Sequence, residues 1–155
     1  ITYWLMGSLA NTSFSSLALG APFIIAGIAV IFALRWKLNV LMLSEDEAKT
    51  MGVNIRMMRV IVALAATMIT ASCVSMCGQV GWVGLLIPHI CRMLFGSNNQ
   101  NIVPASISLG AVFLLIMDTV ARSATAAEIP ISILTSVIGA PFFIILLKKT
   151  GGSNL

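Results

Sequence analysis

Charge is what this sequence lacks most. Nine basic and five acidic residues make up only 9% of its 155 positions. A soluble domain carries about 25%, so the chain does not have the charged skin of a water-soluble globule. Histidine is represented by His89 alone. No Walker A glycine-rich loop and no HExxH pair occurs, and no Ser or Cys has a credible base to activate it. These absences leave no catalytic residue, no metal site and no cofactor to expect. The three cysteines change nothing. Cys73 and Cys77 share a helical face, Cys91 lies apart, and no His or carboxylate is spaced with them as zinc requires. They read as small apolar packing residues. Basic residues interleaved with aromatics are also missing, so the net charge of +4 does not describe a nucleic-acid face.

What the chain has in abundance is apolar surface. Hydrophobic residues are 59% of it, and the mean hydropathy is +1.03. Runs near 20 residues can cross a hydrocarbon core of about 30 Å. Five crossing segments are expected: Leu17–Leu34, Met57–Cys77, Val80–Phe95, Pro104–Val120 and Ile129–Leu147. Backbone in lipid must bond within its own segment, and the alternating polarity of barrel strands does not appear. The expectation is an all-α polytopic transmembrane bundle, a single domain over residues 1–155, with one short interrupted helix among its membrane segments.

Lys and Arg set the orientation. With Lys148 and Lys149 on the cytoplasmic side, five crossings place the Arg35–Arg59 window and Arg92 there as well. Eight of the nine basic residues are then inside and only Arg122 is outside. Ile1 is not an initiator, and residues 1–16 read as the tail of an earlier membrane segment followed by an external loop. No signal peptide is visible. The expectation is a piece of a longer polytopic chain.

Eight of the charged residues fall between Arg35 and Arg59. Ionised groups are costly at bilayer depth, so this window lies at a membrane surface between two spans. Ser44-Glu45-Asp46-Glu47 is a capping box, and three acids in the first turn suit the helix dipole. Gly52 supplies a left-handed stop, which predicts a helix of about seven residues, near 10 Å long. Asn54 can cap the next helix. A bare connection would need only a few residues. Two readings stand: an interfacial helix resting on lipid headgroups, and a docking knob for a soluble partner. Three consecutive acids argue against anionic lipid.

The stretch GQVGWVGLLIPHICRMLFG, residues 78–96, holds Gly78, Gly81, Gly84 and Gly96 with Pro88. Glycine loosens a helix, and proline prefers a first turn. An irregular approach followed by a short helix from about Pro88 to Phe95 is predicted. Such discontinuous segments border transport pathways. His89 and Arg92 share a face of it. They read either as a gating pair near the cytoplasmic mouth, or as a helix-end histidine and an arginine that snorkels to the interface.

Asp118 and Arg122 stand four apart near the outer end of the fourth span, in the favourable acid-first order. Glu128 follows across the small-residue turn SATAA. Pro130 suits the first turn of the last helix, and Gly139-Ala140-Pro141 should kink that helix midway. Arg122 either ends its span neatly with Asp118 or meets an acidic partner.

Taken together these stretches resemble a known family. LSEDEAKTMGVNIRMMR, GQVGWVGLLIPHICRMLFG and DTVARSATAAEIPISILTSVIGAPFFIILLKK are similar, in order, to the coupling segment, the GxxGFxGLxxPHxxR signature and the closing D-x-x-A-R…G-x-x-G-x-P-x-F region of bacterial ABC permeases. Those permeases import iron–siderophores, haem and cobalamin. Tyr3-Trp4-Leu5-Met6-Gly7 resembles the W-x-x-G segment ahead of an external loop, and Trp82 stands where the family usually has Phe. The resemblance implies the C-terminal half of a dimeric permease of about ten spans in the bacterial inner membrane. A cytoplasmic ATP-binding subunit would dock on Ser44, Glu45, Asp46, Glu47, Ala48, Lys49 and Gly52. An extracytoplasmic binding protein would meet Arg122. Gly81, Gly84, Pro88, His89 and Arg92 are candidates for a gate or pathway. A gradient-driven transporter half and a membrane scaffold are the alternatives; Asp118 is the one candidate relay carboxylate for the former.

Overall fold

Every long apolar run folds into helix. The computed structural model describes residues 1–10, 12–124, 126–127 and 129–151. Among them the helices run in order α1 (Thr2–Met6), α2 (Phe14–Leu38), α3 (Glu45–Thr50), α4 (Ile55–Cys77), α5 (Val83–Phe95), α6 (Asn99–Ala124) and α7 (Ile131–Gly151), with a 3-10 turn at Asn39–Met42 between α2 and α3. Four stretches are long and apolar enough to cross a membrane: Phe14–Met42, Ile55–Cys77, Asn99–Ala124 and Ile131–Lys149. The helix Val83–Phe95 is apolar but shorter. The expected set of five segments, one of them short, is therefore present.

α2 and α4 pack antiparallel through small residues. Gly20 and Gly27 lie two turns apart on one face of α2. A Cβ on Gly20 would come within 2.8 Å of Met76 Sδ, and one on Gly27 would overlap Ile69 Cγ1 and stand 3.1 Å from the Ala65 carbonyl oxygen. Without a hydrophobic drive in lipid, close approach of this kind is what holds spans together. A second cluster joins α5 to α6: Ile87, Cys91 and Ile102 are buried, with Val83, Leu109 and Phe113 against them. Several hydroxyls within the spans return their hydrogens to their own helix, whereas buried Ser106 Oγ has no partner among the described residues. Thr67 donates to the Ala63 carbonyl at 2.7 Å and Thr119 to that of Leu115 at 2.8 Å. No water at that depth would otherwise accept them. At most 22% of the most apolar window of any long helix is buried, so most of the oily surface awaits lipid or further helices.

The bundle has two distinct ends. At one, the Ser8 N–H donates to the Cys77 carbonyl at 2.8 Å and the Ile131 N–H to that of Gly7 at 3.1 Å. Asp118 and Arg122 line a small cleft there with Ser8 and Ile131. At the other end, Asn39 bonds to Asn98 and Asn99, which brings the α2–α4 connection against the α5–α6 turn. α7 starts beside Gly7 and carries Lys148 and Lys149 about 26 Å towards that second end. Eight of the nine basic residues thus gather at the α3 end, and Arg122 stands alone at the other.

Some local expectations change. α5 begins at Val83 and not at Pro88, and α6 begins at Asn99 and not at Pro104. In both cases proline is the sixth helical residue, past the first turn that it favours. Its lost hydrogen bond is tolerated in a membrane helix, where neighbouring groups re-satisfy the freed carbonyl. Pro130 is not in the first turn of α7 but just ahead of it, where its carbonyl accepts from Ile133 at 3.1 Å and Leu134 at 3.4 Å. Gly139-Ala140-Pro141, where a kink is expected, lies inside α7, which is assigned as one helix from Ile131 to Gly151. Thr125 of the SATAA turn and Glu128, which follows it, lie outside the described residues.

Candidate functional site

The charged window folds as its spacing demands. Ser44 Oγ accepts from the Glu47 N–H at 3.4 Å, and Glu47 Oε2 accepts from the Ser44 N–H at 3.1 Å, which closes the capping box. At the far end, Gly52 takes φ +72°. Its N–H donates to the Lys49 carbonyl at 3.1 Å, and the Val53 N–H to that of Ala48 at 3.3 Å. This pair of bonds is a Schellman stop, which needs a left-handed residue and so favours glycine. Both ends of a six-residue helix are thereby tied off; a helix this short would not persist on propensity alone.

α3 hangs on a single anchor. Ala48 is fully buried against the start of α4, while Glu45, Asp46, Glu47 and Lys49 are exposed. Lys49 and Asp46 approach to 3.8 Å, but both are so exposed that the pair adds little stability. The acids therefore present charge to whatever approaches. Asn54 Oδ1 accepts from the Met57 N–H at 3.2 Å and starts α4 at once. Between the two helices lies a notch of about 470 Å³, lined by Glu45, Lys49, Gly52, Val53, Asn54, Ile55 and Arg56. Its lining holds one acidic and two basic side chains, Glu45, Lys49 and Arg56.

The interrupted segment is irregular only over residues 78–82. Trp82 has φ +64°, the one non-glycine among the described residues in the left-handed region. Its ring lies 5.8 Å from that of Phe143, and its Cβ would stand 2.9 Å from a Cβ on Gly139. The Gly81 backbone passes Ser132 and Ser136. Residues 78–82 thus descend along α7 from its first turn to Gly139, about 12 Å of helix rise. α5 then adds about 20 Å. By itself α5 is shorter than a hydrocarbon core of about 30 Å.

The remaining predicted positions are spread along this segment. Gly81 lies against α7 and Gly84 opens α5 with free space where a side chain would point. Pro88 and His89 are half-buried, and Arg92 is exposed in the last turn, where a cation suits the helix dipole. They do not converge on α3; Arg92 alone stands at the same end. Arg122 is at the opposite end, where its Nε donates to Asp118 Oδ2 at 2.9 Å. Two features escaped sequence reasoning. Trp82 carries the backbone reversal amid glycines better suited to it. Asn39 joins residues 59 and 60 positions away; its only local signal is that Asn98 looks like a helix cap.

Comparison with known proteins places this arrangement. The chain is 44% identical over 157 residues to the molybdate import system permease protein MolB of Haemophilus influenzae, covering 99% of this chain and 46% of that protein. It is 40% identical over 146 residues to the cobalamin import system permease protein BtuC of Halobacterium salinarum, covering 94% and 39%. It is likewise 40% identical over 146 residues to the Fe(3+)-citrate import system permease protein YfmE of Bacillus subtilis, covering 94% and 44%. A solved metal-chelate type ABC transporter in an inward-facing conformation superposes with a TM-score of 0.92 at 42% identity, over 96% of this chain and 48% of that one. The chain spans about half the length of the curated relatives it matches. The model of the FecCD transport family matches residues 1–149, nearly the whole of the fold described above, and the chain belongs to that family.

Proposed function

We propose that this chain forms the α3-bearing half of the permease of an ATP-driven importer for a metal-bearing solute. Iron–siderophores, haem and cobalamin are the first candidates. The protein is a multi-pass component of the bacterial inner membrane, with residues 35–59 and the C-terminus in the cytoplasm. It is a translocation subunit, not an enzyme; a separate cytoplasmic subunit hydrolyses ATP. That subunit docks on Ser44, Glu45, Asp46, Glu47, Ala48, Lys49 and Gly52, and its closure tilts the spans between inward- and outward-open states. A second permease subunit completes the pathway. An extracytoplasmic binding protein delivers the solute and meets Arg122 through an acid. Gly81, Gly84, Pro88, His89 and Arg92 border the route or its gate.

The observation that carries this reading is α3 itself. It is capped at both ends, anchored by one alanine and charged on its free face. It stands at the end of the bundle that gathers eight of the nine basic residues, the end which the positive-inside rule assigns to the cytoplasm. A photo-crosslinker at Glu45 or Lys49 in the assembled importer is expected to capture an ATP-hydrolysing subunit. Capture of lipid only would overturn the docking role.

A second cargo is favoured by one observation. The molybdate permease is 44% identical to this chain, so an oxyanion of a metal is an alternative to an organic chelate. Uptake of radioactive molybdate against iron chelates in a strain carrying the complete importer separates the two.

A further inference from the structure

We infer that Asn39 is a positioning residue that clamps the base of α3 to the start of α6, so that α6 relays movement between α3 and Arg122. The role of that movement rests on the proposed function; the clamp itself rests on geometry.

Asn39 is the C-cap of α2 and the first residue of the 3-10 turn that leads to Ser44. Its Oδ1 accepts from the Asn99 backbone N–H at 2.8 Å. Its Nδ2 donates to Asn98 Oδ1 at 2.7 Å. Asn98 Oδ1 also accepts from the Gln100 N–H at 3.0 Å. Backbone N–H groups only donate, so the atoms they meet on Asn39 and Asn98 are oxygens, and both amides are fixed in orientation.

The first N–H groups of a helix have no partner within it. Asn98 caps one of those of α6 from the preceding turn. Asn39 caps another from 60 residues away, and at the same time donates to the first cap. An ordinary N-cap is supplied by the chain that enters the helix. Here part of the cap comes from the segment that carries α3, five residues ahead of Ser44. A displacement of α3 therefore reaches the α6 terminus through two polar contacts and a short, tightly wound turn. α6 then runs unbroken to Arg122, and a helix is stiff over that length.

The test uses the complete importer in liposomes, with its other permease subunit, ATP-binding subunit and binding protein. In the wild type, loaded binding protein stimulates ATP hydrolysis above the basal rate. Asn39→Leu is expected to lower that stimulation about fivefold, the factor carried by one or two net hydrogen bonds. Basal hydrolysis and co-purification of the ATP-binding subunit should not change. Asn39→Asp keeps the oxygen that accepts from Asn99 and should retain more of the stimulation. Asn98→Ala should give a loss similar to Asn39→Leu, and the double variant should be no worse than either single one. Wild-type stimulation in Asn39→Leu, or single losses that multiply in the double variant, overturns the relay. Amide hydrogen exchange at Asn99 and Gln100 reads the clamp without reference to transport. Faster exchange in Asn39→Leu and Asn98→Ala supports it, and unchanged exchange overturns it. A wild-type assembly that hydrolyses no ATP would instead defeat the proposed function and leave the exchange result to judge the clamp.

Discussion

Arg122 Nε donates to Asp118 Oδ2 at 2.9 Å, one turn back along α6. The Asp118 side chain is only 22% exposed, whereas that of Arg122 is 53% exposed. The carboxylate thus works from inside, orienting a guanidinium that stays half open to water. A guanidinium carries five donors, and among the described residues Asp118 engages one of them.

Reversal of that charge tests the outer docking role. Arg122→Glu places like charges together, both with Asp118 and with an acidic partner, and such juxtaposition costs several kcal/mol. Capture of the loaded binding protein should weaken by at least about tenfold, as measured by surface-bound titration of the complete importer. Asp118→Asn keeps an acceptor for Arg122, and its effect should stay within about threefold. Unchanged affinity in Arg122→Glu would refute the docking role.

The α3 caps give a second prediction. Ser44→Ala removes the oxygen that accepts from Glu47, a loss worth about 1 kcal/mol. In a six-residue helix this should appear as faster hydrogen exchange over α3, with little change in global melting. Glu45→Lys and Glu47→Lys leave Ala48 seated but reverse the free face. Solute uptake should fall while the amount of protein in the membrane stays constant. Normal uptake in both variants would count against α3 as the site of coupling.

Two glycines separate packing from passage. Gly27→Leu forces a branched side chain into Ile69 and towards the Ala65 carbonyl, and overpacking costs about 1–3 kcal/mol. Thermal unfolding in detergent should shift down accordingly. Nothing lies within 4 Å of the position a Cβ on Gly84 would take. Gly84→Leu should leave the melting temperature of this half nearly unchanged, within about 0.5 kcal/mol. If Gly84 borders the pathway, the same variant should depress uptake in the whole importer.

Trp82 supplies the fourth. A Cβ on Gly139 would meet Trp82 Cβ at 2.9 Å, so Gly139→Val must move either the indole or the helix. With Trp4→Phe and Trp36→Phe leaving Trp82 as the one tryptophan of this chain, its emission, excited selectively above the tyrosine band, should shift to the red as the ring leaves Phe143. An unshifted spectrum would show that the seat at Gly139 is not tight.

These features differ in how visible they were in the sequence, and the reason is range. The capping box, the Gly52 stop and the Asn54 cap rest on bonds within five residues, and each was legible. The long spans were legible because lipid leaves a backbone one solution. The start of α5 was misplaced because proline's first-turn preference was given too much weight, and α6 extends one turn beyond the apolar run that marks its crossing. Prolines at the sixth position obey the weaker rule that membrane helices accommodate a missing bond. Trp82 was opaque because three glycines around it were better suited to a positive φ, and only packing on Gly139 and Phe143 selects it. Asn39 was opaque because its partners lie 59 and 60 residues on, a separation at which no periodicity speaks.

α6, at 26 residues, is about 39 Å long, whereas the oil it crosses is about 30 Å deep. Some excess must emerge, and the polar turns Asn99-Gln100-Asn101 and Asp118–Ser123 mark where. Both tips of one rod are then wetted by different aqueous compartments. Cysteines placed at Asn101 and Ser123, in a background lacking the native thiols, would react with an impermeant reagent from opposite sides of a sealed vesicle. That pair of reactivities would fix the sidedness of the entire bundle from a single helix.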